Sequence, residues 1–324
     1  MQKILWRTAC CAMMAIAAVS CGGDDDDNNA GGAGGSSSEP NVNKNTGYAD
    51  RAAERIEVPR LRGGNSQFIV YRVSDTSFDK DGVNYSVEWD RDLKSNRWTS
   101  YILTRSNITK HVTRWYASPG ELQYPFDTQS LTLADYYTDS KGQDLIYGSG
   151  MDHGHLCPSN DRLYSTAINK QTFNMTNMQP QYKVFNGSDP AHQYSGLWIN
   201  MENFLNKFVT GTRFSANDTL FICKGGTIDN ADQILTRIQG KQIVPKYFYA
   251  AVVWKRSKLN VYSGLAFWFE HSNVYHGDDA LKGYAISISE LEKKLGGKID
   301  FFCNLPDKTE RQVEGTAATM DFGL

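Results

Sequence analysis

The run Met151-Asp152-His153-Gly154-His155-Leu156-Cys157-Pro158-Ser159-Asn160-Asp161-Arg162 is the densest patch of chemistry in this chain. Asn177-Met178-Gln179-Pro180-Gln181 follows, then Asn186, Trp198 and Glu202. These residues supply a base (His155), neutral oxygen ligands (Asn177, Asn186) and a carboxylate (Glu202). Hydrolysis of a phosphodiester needs a deprotonated water placed in line with the leaving oxygen. A neutral imidazole is the side chain best poised to take that proton near pH 7. Gly154 before His155 and Pro158 after it argue for an irregular strand-to-loop turn that presents the ring. The inventory suits metal-assisted cleavage of a phosphodiester.

The pattern resembles the DNA/RNA non-specific endonuclease family, of the ββα-metal or His-Me finger type. That family's signature is Asp-Arg-Gly-His, then Asn-x-x-Pro-Gln, then a later Asn and a Trp-x-x-x-Glu. The resemblance covers residues 85–313. It implies that Asn186 holds a hydrated Mg²⁺, with Mn²⁺ as a substitute, since hard cations take oxygen ligands and keep waters when the protein supplies few. It also implies that Arg114, followed by Trp115, matches an upstream arginine that binds phosphate and stabilises developing charge. His153 stands where the family has arginine; a protonated His153 at the phosphate is the expected partial substitute. The spacing between Asn186 and Trp198 is longer than the family's compact form, as if residues 188–196 were inserted.

Each of these residues also has a structural reading. An isolated histidine is more often structural than catalytic. Asn186-Gly187 is an ordinary turn pair. Glu202 lies four residues after Trp198 on an expected helix, near one face, where it either meets the nucleophile or is a solvated charge. Asn177 precedes a proline that restricts the backbone before it, and it can orient His155, bind phosphate or support the turn. His153-x-His155-x-Cys157 invites a zinc reading, but no paired Cys-x-x-Cys or His-x-x-x-His completes a four-ligand site.

Positioning these residues requires a scaffold. Residues 66–74, 85–89 and 98–103 read as strands, rich in β-branched and aromatic side chains. The stretch 106–149 is loop-rich, with Pro119-Gly120 and Lys141-Gly142 as breakers. Residues 165–175 mix helix and loop. Residues 197–208 place Leu197, Trp198, Met201, Phe204, Leu205 and Phe208 at helical spacing, with Glu202 off the apolar stripe. Residues 219–225, 247–254 and 264–270 read as interior strands. A helix over 287–295 follows, with Ser289 as N-cap and Gly296-Gly297 as stop. Strands on both sides of a helical middle imply an α+β domain, a mostly antiparallel sheet flanked by helices.

The N-terminus carries a different kind of signal. Lys3 and Arg7 precede an apolar stretch from residue 8 to residue 20, too short to span a bilayer comfortably. It ends in Ala18-Val19-Ser20-Cys21, which looks like a bacterial lipobox with Cys21 as the acylated residue. Gly22-Gly23-Asp24-Asp25-Asp26-Asp27 and an Asn/Gly/Ser stretch come next, a composition unable to bury enough apolar surface to order itself. An acidic run directly after the lipidated cysteine also looks like a surface-export signal. The expected layout is a leader over 1–20, a tether over 21–45 and a nuclease domain over 60–324. The expected location is the outer membrane, facing outward.

Without the leader, 32 Lys+Arg face 36 Asp+Glu, and without Asp24 to Asp27 the two balance. A non-specific nucleic-acid binder normally needs cationic surface, so the charge must be segregated. Arg105, Lys110, Arg114, Arg162 and Lys183 flank the motif and are the candidates for a basic cleft. Of the six cysteines, Cys157, Cys223 and Cys303 remain after the leader and Cys21, which gives no disulfide framework; burial as small apolar residues is expected of at least one. The resulting expectation is a Mg²⁺-dependent endonuclease acting on both DNA and RNA and leaving 5′ phosphates. Two rivals are a non-catalytic surface binding lipoprotein on a decayed scaffold and a narrower phosphodiesterase of small nucleotides.

Overall fold

In the computed structural model, which describes residues 40–324, the β-branched and aromatic runs pair into one antiparallel sheet. The leader, Cys21 and the acidic stretch lie outside the described residues. β1 (Ser66–Arg72), β2 (Val83–Asp90) and β3 (Ser95–Leu103) form a meander. Next in the chain are β4 (Asp152–His155), α1 (Thr166–Gln171), β5 (Met178–Gln181), α2 (Lys183–Asn186) and α3 (Leu197–Thr210). Five more strands follow: β6 (Thr219–Gly226), β7 (Ile234–Ile238), β8 (Gln242–Pro245), β9 (Tyr247–Arg256) and β10 (Val261–Glu270). The chain ends with β11 (Ala285–Ile286), α4 (Ile288–Lys294), α5 (Asp307–Glu314) and α6 (Thr319–Phe322). The sheet order is β1-β2-β3-β6-β9-β10-β11, and β4–β5 and β7–β8 form two small separate pairs.

Successive strand residues face opposite sides, and both sides are apolar here, so the sheet is covered twice. Tyr101, Leu103, Leu220, Ile222 and Val252 share one core with Leu156, Trp198 and Leu205. Trp98, Phe221, Cys223, Ala251 and Val253 share the other with Ile288, Leu291 and Val313. The motif region and α3 therefore lie on the first face, and α4 and α5 on the second. The α+β expectation holds.

The expected strands are present, several of them longer than their periodic signal. The short elements β4, β5, β7, β8, β11, α2 and α6 carry too few residues to show a period. The N-cap of α4 is Ser287, whose side chain accepts from the Glu290 amide, and not Ser289. Ile288 is fully buried and already helical, which puts the capping position one residue before it. Gly296 and Gly297, at φ +67° and +65°, end the helix as expected.

The folded body also begins earlier than the expected boundary at residue 60. Asn45 is 1% exposed; its amide donates to the Ala53 and Pro59 carbonyls and its oxygen accepts from the Leu61 amide. The Asn43 amide donates to Asp300 and Glu310. Residues 40–45, expected to belong to a tether, are thus stitched to the C-terminal segment. Polar composition misleads here because these side chains spend their hydrogen bonds on buried groups far along the chain.

Candidate active site

β4 and β5 pair antiparallel with His155 opposite Met178 and Gly154 opposite Gln179. A Cβ at residue 154 would lie 2.3 Å from the Gln181 side chain, so a larger residue before His155 would have to displace that buried glutamine. Asn177 locks the far end of this pair. Its oxygen accepts from the Cys157 amide at 2.8 Å, and its nitrogen donates to the Cys157 and Thr172 carbonyls at 2.9 and 2.8 Å. Asn177 is fully buried, with both amide hydrogens and its oxygen engaged by the backbone. The expected substrate contact is corrected to a clamp on the loop after His155.

His155 is held from behind by α3, where the Trp198 indole donates to its backbone carbonyl at 3.1 Å. His155 is half-buried, its ring packed edge-on against Phe173 with centroids 5.0 Å apart and its Nε2 buried without a hydrogen-bond partner. Burial holds the imidazole well below the ordinary histidine value, and the charges of Arg114, His153 and Lys224 push the same way against the His153 backbone. The ring is therefore neutral at neutral pH, as a base must be.

His153 faces a different environment from the one expected. Its Nε2 lies 2.8 Å from Asp144 Oδ1, and its ring stacks on Tyr124 at 3.8 Å and 8°. The substrate contact expected of His153 is thus corrected. With one nitrogen committed to a carboxylate and one face covered, it supports Tyr124, which in turn meets His155 edge-on at 6.3 Å. Arg114 is exposed, lies 4.7 Å above the Phe173 ring, and its charge reaches His155, Tyr124 and Glu202. The structure therefore brings Arg114 to the site.

Asn186 ends α2, and Gly187 at φ +89° caps it. The Asn186 nitrogen donates to Asp152 Oδ2 at 2.8 Å, and Ser188 donates to the same oxygen. Only the NH₂ side of an amide can face a carboxylate, so Asp152 fixes which way the Asn186 oxygen points. The start of α2 is pinned by His271, whose Nε2 accepts from the Tyr182 amide at 2.8 Å while Nδ1 donates to the Pro245 carbonyl at 2.8 Å.

Glu202 leaves α3 toward the sheet and not toward solvent. Its carboxylate meets the Lys224 ammonium at 2.6 Å, and the lysine side chain is fully buried. Burial pushes the Glu202 carboxyl up to about 7, against the pull of Lys224. Asp152, Lys224 and Tyr124 received no role in the sequence analysis. For Lys224 a signal exists: it shares strand parity with Leu220 and Ile222, so a cation must face the core.

Two arginines of the expected basic cleft are spent on the protein itself. Arg162 is fully buried and donates to the Asn84 and Ile102 carbonyls at 3.1 Å, and Arg105 donates to Phe214 and Gly211 carbonyls. Lys110, Arg114 and Lys183 remain exposed. Cys157 is also fully buried, its thiol pushed up to about 12 by burial, and among the described residues no group of three or more His, Cys, Asp or Glu side chains is placed to hold a metal. Cys223 and Cys303 are likewise free and buried. A cavity of about 1220 Å³ lies over the opposite sheet face, against Ile102 and Phe221, and contains none of the motif residues.

Comparison with known proteins gives the family and the fold. The family model for DNA/RNA non-specific endonucleases matches residues 66–308. A nuclease of Nostoc sp. (strain PCC 7120) is 29% identical over 177 residues, which are 52% of this chain and 57% of that protein. The chain thus spans little more than half the length of this relative. Nuclease C1 of Cunninghamella echinulata var. echinulata is 27% identical over 236 residues, 70% of this chain and 83% of that protein. The crystal structure of the EndoG/EndoGI complex, reported for the mechanism of EndoG inhibition, superposes with a TM-score of 0.57 at 16% identity. The match covers 82% of this chain and 96% of that one, and at this identity the likeness is one of fold. With the family match spanning most of the folded body, including every motif residue on β4, β5, α2 and α3, the chain belongs to the DNA/RNA non-specific endonuclease family.

Proposed function

We propose that this protein is a Mg²⁺-dependent endonuclease that hydrolyses the phosphodiester bonds of both DNA and RNA and leaves 5′ phosphates. The observation that carries the reading is the half-buried His155, held at its backbone by Trp198, kept neutral by burial and accompanied by Arg114, Glu202 and Asn186.

In this reading His155 takes the proton of the attacking water. Nε2 is buried, which leaves Nδ1 as the nitrogen to receive it. Arg114 binds a non-bridging phosphate oxygen and stabilises the charge that grows there. Glu202, as a carboxylate, orients the water by accepting its second hydrogen. The residue to hold a cation is Asn186, whose oxygen is left free once its nitrogen is committed to Asp152. A single neutral oxygen suits a cation that keeps most of its water, and among the described residues no group of three His, Cys, Asp or Glu side chains offers a closed cage. A bound divalent cation would supply charge neutralisation at the phosphate. The side chains gathered here address a phosphate and a water, which DNA and RNA share, so both polymers are substrates.

Attachment to the outer membrane through a lipidated Cys21, facing outward, is part of the same proposal and is supported by the lipobox-like sequence. No helix of the described residues is long and apolar enough to cross a membrane. The test is plasmid nicking and RNA degradation by the purified protein, with Mg²⁺, with Mn²⁺ and with EDTA. Degradation of both polymers that stops with EDTA is expected. Cleavage of one polymer only, or cleavage that survives EDTA, would overturn the reading.

A further inference from the structure

Among the described residues, Lys224 is an interior cation that touches both Glu202 and Trp198. It is fully buried on β6, opposite Thr99 of β3 and Ala250 of β9. Its Nζ lies 2.6 Å from Glu202 Oε1 and 4.8 Å from the centre of the Trp198 ring. Trp198 is the residue that holds the His155 carbonyl. Burying an ammonium is costly unless it is paired, so a lysine inside this core has to be matched, and its match is the family's glutamate.

We propose that Lys224 is a positioning residue for the nuclease chemistry: its ammonium fixes the Glu202 carboxylate in the site. The inference rests on the function proposed above and deepens it. Without a cation beneath it, a carboxylate in this surrounding is neutral at neutral pH and cannot orient a water by accepting its hydrogen. Arg114, the other cation near Glu202, is exposed and placed for phosphate. The remaining titratable neighbours, Asp161, Tyr101 and Cys157, offer no positive charge. The charge of Glu202 therefore depends on Lys224 more than on any other group.

The test uses the full-length protein, its Lys224→Met, Lys224→Arg and Glu202→Gln variants, and the Glu202→Gln/Lys224→Met pair. Two quantities are followed. One is the carboxyl titration of Glu202 in the metal-free protein, by NMR of ¹³C-carboxyl glutamate, with the signal assigned by its loss in Glu202→Gln. The other is the pH profile of kcat/KM. In Lys224→Met the Glu202 titration should move up by about one unit or more, as expected on losing an opposite charge. The acidic limb of kcat/KM should move with it, and activity at pH 7 should fall about 10- to 100-fold, as for loss of an outer partner of a functional ligand. Lys224→Arg should restore both. In the Glu202→Gln background, Lys224→Met should change the residual activity little. A limb that stays in place while the carboxyl titration moves, or an equal loss in the Glu202→Gln background, overturns the proposal. If Lys224→Met does not fold, the double variant, with both charges removed, still decides by comparison with Glu202→Gln. An inactive wild type overturns the function reading; an active one with an unmoved limb overturns only the role of Lys224.

Discussion

The indole Nε1 of Trp198 donates to the backbone carbonyl of His155 across 3.1 Å, tying the end of β4 to the first turn of α3. The tryptophan of the family pattern thus works through the backbone of His155 and is itself 1% exposed. Trp198→Phe keeps much of the packing and removes this bond. The expected cost is about 1 kcal/mol in stability, with a larger proportional loss in kcat than in KM, read from denaturant melts and steady-state kinetics. Unchanged kcat would show that the strand holds its place without the indole.

His155→Ala should lower kcat/KM by about 10² to 10⁴, the usual cost of a general base. The melting temperature should change little, because the ring makes no side-chain hydrogen bond through Nε2. A variant that melts like wild type and cleaves at its rate would place the base elsewhere.

Asn177→Ala should behave in the opposite way and act mainly on folding. It strands one buried amide and two buried carbonyls, at about 1 to 3 kcal/mol for each unsatisfied group. Thermal unfolding should show a drop of several degrees. A variant with native stability and selectively raised KM would return Asn177 to the substrate.

His271 sets a pH dependence with a definite sign. Burial pushes its imidazole down to about 4, while the Pro245 carbonyl partly supports the charged form. The unfolded chain takes up the proton near 6.5, so this contribution is complete above 6.5 and is lost as pH falls toward 4. Protonation would also oppose an N–H to the Tyr182 amide that now donates to Nε2. His271→Ala should be less stable at pH 7 and show a flatter fall between pH 6.5 and 4, by calorimetry at a series of pH values.

Glu314 sets the reverse dependence. Burial and the neighbouring Glu292, Glu310 and Asp300 push its carboxyl up to about 10. A raised carboxyl contributes stability that is whole below the unfolded value, near 4.3, and is lost as pH rises toward 10. Glu314→Gln, neutral at every pH, should melt higher than wild type at pH 9 and close to it at pH 4. An equal difference at both pH values would show that packing, not charge, separates them.

The sequence by itself determined the reaction class, the order of the motif and the elements with a clear period. His155, Asn186 and Glu202 were singled out through the motif order that resembles the family, and α3 was legible because Leu197, Trp198, Met201, Leu205 and Phe208 repeat at helical spacing and are all buried. The sheet was legible wherever apolar runs were long enough to be covered on both sides. What only the tertiary structure decided is where each polar group spends its hydrogen bonds. Asn177 and Arg162 read as ligand-facing residues and turned out to satisfy backbone groups. His153 read as a substitute for a phosphate-binding arginine and is occupied by Asp144 and Tyr124. Lys224 and Glu202, 22 positions apart on a strand and a helix, meet only because the sheet face and α3 pack together. A side chain's chemistry is local, whereas its partner is set by long-range packing, and buried polar groups must find one whichever element supplies it.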